Sequence, residues 1–359
     1  MNFPGRTVRP LLIASLAVTC LAAQNPSTDQ GSGLINPHAI AFNPATRKVY
    51  VVDAAHAAVD VIDTADQSVR SVAVGAAPVS IAVDPASGRV YVANAADGTV
   101  SILDGTSNTV LATVPVGARP YSIAANPLTG MVYVSHTFSD KTTVFDGATR
   151  AVTQLVTGSI DLIAIDSVAN AAYLLAYEGG NLTVLEGARH DLNRRQAGKH
   201  AWGMALNEAT HTLYVARMGT ADVIALHGAS SSVLPAGHTP CAVAANPRSN
   251  TVYVANYADG SVTVLDTATG RATATIPVGE HPQALAVDAQ RNLVYVANTF
   301  SNTVTIIDGE HRKAVATLPA GKAPYALAVD PGSSRLYVAN EAGATHFTIV
   351  DTTLPPKGR

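Results

Sequence analysis

The chain has 359 residues, of which 47% are hydrophobic, 14% charged and 5% aromatic, so it is too apolar and too weakly charged to be disordered. Its 23 Lys and Arg against 26 Asp and Glu give a formal charge of −3, and without a basic tract this argues against a duplex-DNA-binding protein. Two cysteines exclude a disulfide framework and a metal centre built from cysteines.

Residues 1–23 have the pattern of a signal peptide: two arginines, an apolar run and small residues. The apolar run 11–23 has 13 residues, short of the roughly 20 that a membrane-spanning helix needs. We therefore expect export to the periplasm or the extracellular space, with no transmembrane segment in the mature chain. Cys20 lacks the flanking residues of a lipoprotein signal, so no lipid anchor is expected. Cys241 is then the only cysteine left, and an unpaired thiol in an oxidising compartment is expected to be buried.

An internal repeat dominates the rest of the chain. A tyrosine between aliphatic residues recurs at eight positions, spaced 41, 42, 40, 41, 39, 42 and 42 residues apart. A fixed period of this length is typical of repeat architectures such as propellers. The eight positions are Tyr50, Tyr91, Tyr133, Tyr173, Tyr214, Tyr253, Tyr295 and Tyr337.

The repeat from Pro78 to Gly117 shows what one unit contains. Four short β-rich runs are separated by Asp-Pro, Asp-Gly and Ser-Asn turn signals, which predicts an up-and-down four-stranded sheet. Apolar residues occupy both faces of the strands, as in sheets that are covered on both sides. Alanines in the first strand suit a place where sheets converge near an axis. The prediction is an all-β fold, a β-propeller of eight four-stranded blades. The alternative is seven blades plus an irregular extra repeat.

These repeats divide the chain. We assign residues 1–23 to the signal peptide, 24–36 to an N-terminal segment, 37–353 to a propeller of about eight 41-residue repeats, and 354–359 to a C-terminal tail. The last repeat has only three strands before the tail. Its fourth strand would come from residues 24–36, or the ring closes with a three-stranded blade.

The repeat resembles a known family. The segments 90–94, 252–256, 294–298 and 336–340, the Asp-Pro or Asn-Pro turns before them and the Val-Gly-x-x-Pro connectors look like the signature of YVTN-family β-propeller repeats. The resemblance covers residues 34–353. It implies an exported bacterial or archaeal protein, often with seven blades, and some members resemble the propellers of cytochrome cd1 nitrite reductase and nitrous oxide reductase. The eight tyrosines favour eight blades here.

Strand parity predicts where a ligand would bind. Because strands alternate in direction, the loops between second and third strands lie on the same face as the connectors between blades. That face carries the start of each innermost strand, beside the channel, and concave sites with aromatics and a few polar groups are where ligands bind. Residues that break the repeat there form the candidate ligand-binding set: His38, Arg119, Tyr121, His136, Asp161, His200, Trp202, Arg217, His281 and Tyr325.

Other repeated polar residues have a structural interpretation. An asparagine ends half of the second strands, as at Asn94 and Asn298, and an aspartate ends most third strands, as at Asp104 and Asp308. Short polar side chains at such places bond the neighbouring loop and start turns. His136 and Arg217 occupy the asparagine position, which is why they enter the candidate set.

The sequence lacks the motifs of serine hydrolases, phosphate loops, dinucleotide sites, zinc-binding helices and covalent haem. We predict no catalytic residue, metal ligand or cofactor. The expected function is an exported, non-enzymatic scaffold that binds a protein, glycan or small molecule at the channel mouth. Residues 189–200 are rich in basic side chains, which we interpret as surface variation, with an anion or acidic-partner patch as the alternative.

Two other functions stay open. A lactonase-like propeller hydrolase or lyase would use a histidine or a metal at the mouth, with parts drawn from His38, Asp161, His200, Arg217 and His281. A single-strand nucleic-acid-binding protein would stack bases on mouth aromatics such as Tyr121, Trp202 and Tyr325. The negative net charge and the export signal argue against the second.

Overall fold

The computed structural model describes residues 39–342 and 345–353. The predicted signal peptide 1–23, the segment 24–36, His38 and the tail 354–359 lie outside the described residues. Within them every regular element is a β-strand, and no helix is long and apolar enough to cross a membrane.

The described strands form eight antiparallel sheets, seven with four strands and one with three, and each strand pairs with its neighbour in the chain. This confirms the predicted all-β propeller with eight blades. We number the blades 1 to 8 in chain order. The strands are β1 Ile40–Asn43, β2 Lys48–Asp53, β3 Ala58–Asp63, β4 Val69–Ala73, β5 Pro78–Asp84, β6 Arg89–Asn94, β7 Thr99–Asp104, β8 Thr109–Pro115, β9 Pro120–Asn126, β10 Met131–His136, β11 Lys141–Asp146, β12 Val152–Val156, β13 Leu162–Asp166, β14 Ala171–Leu175, β15 Asn181–Glu186, β16 Asp191–Gln196, β17 Ala201–Asn207, β18 Thr212–Arg217, β19 Asp222–His227, β20 Ser230–Pro235, β21 Pro240–Asn246, β22 Thr251–Asn256, β23 Ser261–Asp266, β24 Arg271–Pro277, β25 Pro282–Asp288, β26 Leu293–Asn298, β27 Thr303–Asp308, β28 Lys313–Pro319, β29 Lys322–Asp330, β30 Arg335–Ala342 and β31 Phe347–Asp351.

The blades form a closed ring. The first strand of each blade contacts the first strand of the next, and β29 of blade 8 returns to β1 of blade 1. Eight hydrophobic clusters fill the spaces between neighbouring blades. Burial on both faces of each sheet explains why both alternations of the strands are apolar.

The recurring tyrosines fasten one blade to the next. Tyr50, Tyr253 and Tyr295 are fully buried, and each ring packs in a cluster between two blades. The Tyr50 hydroxyl donates to the Gly105 carbonyl oxygen at 3.2 Å, in the turn between the third and fourth strands of the next blade. The same turn in blade 7 has Gly309, where a Cβ atom would lie 2.6 Å from the Tyr253 hydroxyl oxygen. Each blade interface therefore uses one tyrosine, and this is why a tyrosine recurs once per blade in the sequence.

Side chains hold the seam between blades 8 and 1. The Arg47 guanidinium pairs with Asp330 at 2.7 Å, and Arg335 donates to the Thr64 carbonyl oxygen at 3.2 Å. Blade 8 has three strands in the described part of the chain.

The aspartates that end third strands initiate turns, as predicted. One carboxylate oxygen of Asp104 accepts from the backbone N–H groups of Thr106 and Ser107 at 2.9 and 2.7 Å. These backbone hydrogen bonds, with a side-chain bond from Ser107, hold the pKa of Asp104 below its usual value. Asp146 and Asp266 make the same turns.

Candidate ligand site at the channel mouth

The connectors between blades and the loops after second strands lie on one face, as parity predicts. Ala95 N–H donates to the Ala77 carbonyl oxygen at 2.8 Å, and Thr299 N–H donates to that of His281 at 3.1 Å. In each pair the acceptor belongs to a connector and the donor to a loop between second and third strands. This face surrounds the start of the innermost strands and is called the mouth below.

The connectors share an unusual backbone conformation. In six blades the residue at the junction between the connector and the innermost strand has a positive φ between 50° and 57°, although none of the six is a glycine. Left-handed backbone at such residues is sparsely populated and must be held by its surroundings. The six residues are Ala77, Arg119, His200, Thr239, His281 and Ala323. Three members of the candidate set are therefore fixed at this bend.

A β-bulge follows the bend in the same six blades. Pairing shifts by one residue near the start of the innermost strand, between Ala201 and Gly203 for example, so that Trp202 has no partner opposite it. Bulges re-aim side chains and are common beside functional sites. The residues at the bulges are Val79, Tyr121, Trp202, Cys241, Gln283 and Tyr325. Blade 4 has no such shift, and Asp161 directly precedes its first strand.

Aromatic side chains from different blades meet at the mouth. The Tyr177 ring, from blade 4, stands edge-on to Trp202 at 5.1 Å and to His200 at 5.7 Å between centroids. In blades 6 and 7 the His281 ring lies 4.3 Å from the Tyr257 ring and 4.1 Å from that of Phe300. These rings form two aromatic clusters, which we call the Trp202 cluster and the His281 cluster.

Several of these residues were missed by the sequence analysis. Tyr177, Tyr257, Phe138 and Phe300 lie one or two residues beyond the end of a second strand, and Phe138 and Phe300 are 72% and 49% exposed. The Arg119 guanidinium lies 5.9 Å from the centre of the Phe138 ring. The sequence does contain a signal for these mouth residues. The chain has 12 tyrosines, and eight of them belong to the repeat. The other four belong to the mouth: Tyr121, Tyr177, Tyr257 and Tyr325.

Burial raises the pKa values of three acidic side chains at the mouth. Desolvation raises the pKa of Asp161, helped by the nearby Glu178 carboxylate and opposed by a 2.7 Å hydrogen bond from the Tyr177 N–H. Desolvation also raises the pKa of Tyr121, with a further contribution from the charge of Asp161. It raises the pKa of Tyr325 to about 12, so both phenols are uncharged at neutral pH.

His136 and Arg217 serve inside their own blades. Elsewhere the asparagine joins two strands: the Asn94 amide donates to the hydroxyls of Thr99 and Ser101, both at 3.0 Å. His136 is 4% exposed, and its ring nitrogens lie 3.0 Å from the Ala118 carbonyl oxygen and 2.9 Å from the Thr143 hydroxyl. Arg217 Nε donates to Asp222, five residues on, at 2.6 Å. Both side chains thus take the place of the asparagine.

Asp161, His200 and His281 do not form a metal site in the described part of the chain. His200 and His281 are fixed on blades 5 and 7, and Asp161 precedes blade 4. Two groups of acidic and histidine side chains have converging ligand atoms in the described residues, and neither group contains these three. Cys241 is buried, as predicted, with its sulfur 3.1 Å from the Pro282 carbonyl oxygen.

Residues 213–352 match the family model described as YNCE-like beta-propeller. No curated protein matches the chain. Solved structures match over most of it. Hydrazine synthase from Kuenenia stuttgartiensis is 18% identical with a TM-score of 0.61, covering 92% of this chain and 100% of that chain.

Two other solved structures match at lower identity. Dihydro-heme d1 dehydrogenase NirN in complex with DHE is 13% identical with a TM-score of 0.72, covering 86% of this chain and 71% of that one. A functionally unknown protein from Desulfotomaculum acetoxidans is 11% identical with a TM-score of 0.61, covering 76% and 95%. At these identities the likeness shows the fold alone. The chain is an eight-bladed β-propeller, and the YNCE-like match in its C-terminal part is consistent with YVTN-type repeats.

Proposed function

We propose that this protein is an exported, non-enzymatic β-propeller that binds a flat-faced ligand at the mouth. The ligand class is a sugar ring of a glycan or an aromatic ring of a small molecule. The observation that supports this is the collection of aromatic side chains on one face, set on bulges and loops outside the repeated core.

The chemistry of the mouth suits such a ligand. Tryptophan and tyrosine offer large apolar faces with a polar group at one end, which favours stacking against planar or ring-shaped molecules. Asp161, the nearby Glu178, and Glu341, whose charge acts on Tyr325, add hydrogen-bond acceptors for hydroxyl groups. Trp202 and Tyr177 are only partly buried, so their rings keep exposed surface for contact.

One structure of similar fold has been solved as a complex with a ligand. One solved structure that this chain resembles is a dehydrogenase in complex with DHE. At 13% identity that likeness supports binding as a use of the fold and leaves the ligand to be found by experiment.

Export is a separate part of the proposal and has its own test. The full chain should be expressed in a Gram-negative host, and the N-terminus of the protein in the periplasmic fraction should be sequenced. We expect a chain that begins near residue 24. Full-length protein held in the cytoplasm would contradict this part of the proposal alone.

Trp202 is the only tryptophan, so its fluorescence reports on the Trp202 cluster. The mature protein should be titrated with cell-wall glycan fragments, haem, sugar lactones and short oligonucleotides. We expect a saturable change with a glycan or a planar aromatic compound, and at least a tenfold weaker affinity in Tyr177→Ala. Leu128→Ala is the matched control, because Leu128 is 68% exposed in a turn on the opposite face.

The outcomes separate the candidate functions. Hydrolysis of a lactone would replace the scaffold with the enzymatic alternative. A response to oligonucleotides alone would favour nucleic-acid binding. No saturable response, or equal affinities in Tyr177→Ala and the native protein, would contradict the proposed site.

A further inference from the structure

Blade 1 departs from the other blades where its second strand ends. In blade 7 the Asn298 amide donates to the Thr305 hydroxyl, seven residues on, at 2.9 Å. Blade 1 has Asp53 and Asp60 at the same two places. The two aspartates are 8% and 9% exposed, so a neutral hydrogen-bonded pair is replaced by two buried carboxylates. Buried carboxylates are costly unless a positive group or a metal ion compensates them.

Blade 8 supplies a third group across the seam. His346, in the loop between β30 and β31, places Nε2 3.1 Å from an Asp60 carboxylate oxygen. That nitrogen is buried and makes no hydrogen bond within the described part of the chain, despite the short distance. Its lone pair and those of the carboxylates can therefore point to a common position. One ligand atom from each of the three side chains lies within 4.8 Å of the others.

The surroundings hold one of these ligands in place. His56 Nδ1 lies 2.7 Å from an Asp53 carboxylate oxygen, and the His56 N–H donates to the other oxygen at 3.2 Å. Each carboxylate oxygen has two lone pairs, so Asp53 retains capacity for a further ligand. Outer hydrogen bonds of this kind orient ligands in metal sites.

We propose that Asp53, Asp60 and His346 bind one divalent transition-metal ion, zinc or manganese, at the seam between blades 8 and 1. An imidazole nitrogen with two carboxylates suits these ions, whereas magnesium and calcium prefer an all-oxygen set. The ion compensates the two buried negative charges and cross-links the first and last blades. The proposal is independent of the ligand bound by the aromatic clusters.

A second group in the chain provides the contrast. Asp308, Glu310 and His311 also have converging ligand atoms, but they lie in a turn on the opposite face, and Glu310 and His311 are exposed. His311 Nδ1 donates to the Asp308 carboxylate at 2.8 Å, so this nitrogen has no lone pair to offer a metal ion. This group is an exposed ion pair and serves as a control.

The test uses the mature chain without a histidine tag, freed of metal by a chelator and dialysed. Zinc and manganese are titrated separately by calorimetry, and melting temperatures are recorded with and without each ion. We expect one ion per chain and a rise in melting temperature of about 5 °C at an ion concentration of about 100 Kd. His311→Gln should behave as the native protein.

The key variant is Asp53→Asn with Asp60→Thr, which restores the asparagine and threonine of blade 7. It should lose stoichiometric binding, and its metal-free form should melt no lower than the metal-free native protein, since two buried charges are removed. His346→Gln supplies a second loss-of-binding variant if the double variant does not fold. Absence of stoichiometric binding by the native protein, equal binding by both variants, or a lower melting temperature of the metal-free double variant would overturn the proposal.

Discussion

Blades 6 and 7 have the repeated asparagine at the end of the second strand, whereas blades 4 and 5 have other residues there. In blade 7 the buried Asn298 joins two strands, and a Cβ atom on Gly279 of the preceding connector would lie 2.7 Å from its side chain. Blade 4 has Ala176 at that place and blade 5 has Arg217. Blades 4 and 5 carry the Trp202 cluster, and blades 6 and 7 carry the His281 cluster. An aromatic cluster therefore forms at the mouth both with and without the asparagine, and the ring closes in both cases.

The largest expected effect is a difference in stability loss between a core variant and a mouth variant. Tyr253 is fully buried between two blades, and Tyr253→Ala should lower the free energy of unfolding by about 3–5 kcal/mol because it leaves a cavity. Trp202 is only partly buried, so Trp202→Ala should cost less than half as much while weakening ligand binding. Urea unfolding of the two variants measures the difference. Equal losses would place Trp202 in the core.

A smaller effect tests the asparagine in the regular blades. Asn256 donates to Ser261 and Thr263 and accepts from the Gly237 N–H, at 3.0, 2.9 and 3.0 Å. Asn256→Ala leaves these groups unpaired and should destabilise the protein by about 1–3 kcal/mol. Asn193→Ala, on an exposed outer strand, is the matched control and should stay within about 0.5 kcal/mol of the native protein. Similar values for the two variants would argue against a joining role.

The smallest effect is a pH dependence in blade 3. Burial lowers the pKa of His136 below its usual 6.5, against a weaker opposing effect of its bond to Ala118. The unfolded chain therefore binds this proton more tightly, so the stability is present above pH 6.5 and is lost as the pH falls toward the folded value.

The change His136→Asn, which introduces the asparagine found at this position in four other blades, removes this contribution. The melting temperature of the native protein should fall more than that of the variant between about pH 7 and about pH 5. Parallel decreases in the two proteins would show that His136 is not a source of acid sensitivity.

The fold was predictable because one physical requirement repeats. At the blade interfaces a buried tyrosine packs against the turn between the third and fourth strands of the next blade. Tyr50, Tyr253 and Tyr295 therefore mark the period of the repeat even where the residues between them vary. The aspartate turns were predictable for a similar reason, since Asp104 acts on residues two and three positions away.

The mouth was predicted only in part. Strand parity indicated which face carries Trp202 and Tyr325, but it does not show that a bulge lies there. Tyr177 and Tyr257 were missed because the direction of a side chain in a loop depends on contacts with the next blade. The convergence of Asp53 and Asp60 with His346 joins residues almost 300 positions apart, which no local spacing indicates.

The bulge at the start of the innermost strands has a consequence for how the chemistry of the mouth varies around the ring. The bulge sets one residue outside the regular register of the two strands, so the ladder on either side does not fix the identity of that residue. Each bulged blade thus has one position outside the repeated ladder, and the side chains there differ widely in size and chemistry: Val79, Tyr121, Trp202, Cys241, Gln283 and Tyr325. The binding specificity of the mouth can then differ from blade to blade while the number and packing of the blades stay the same.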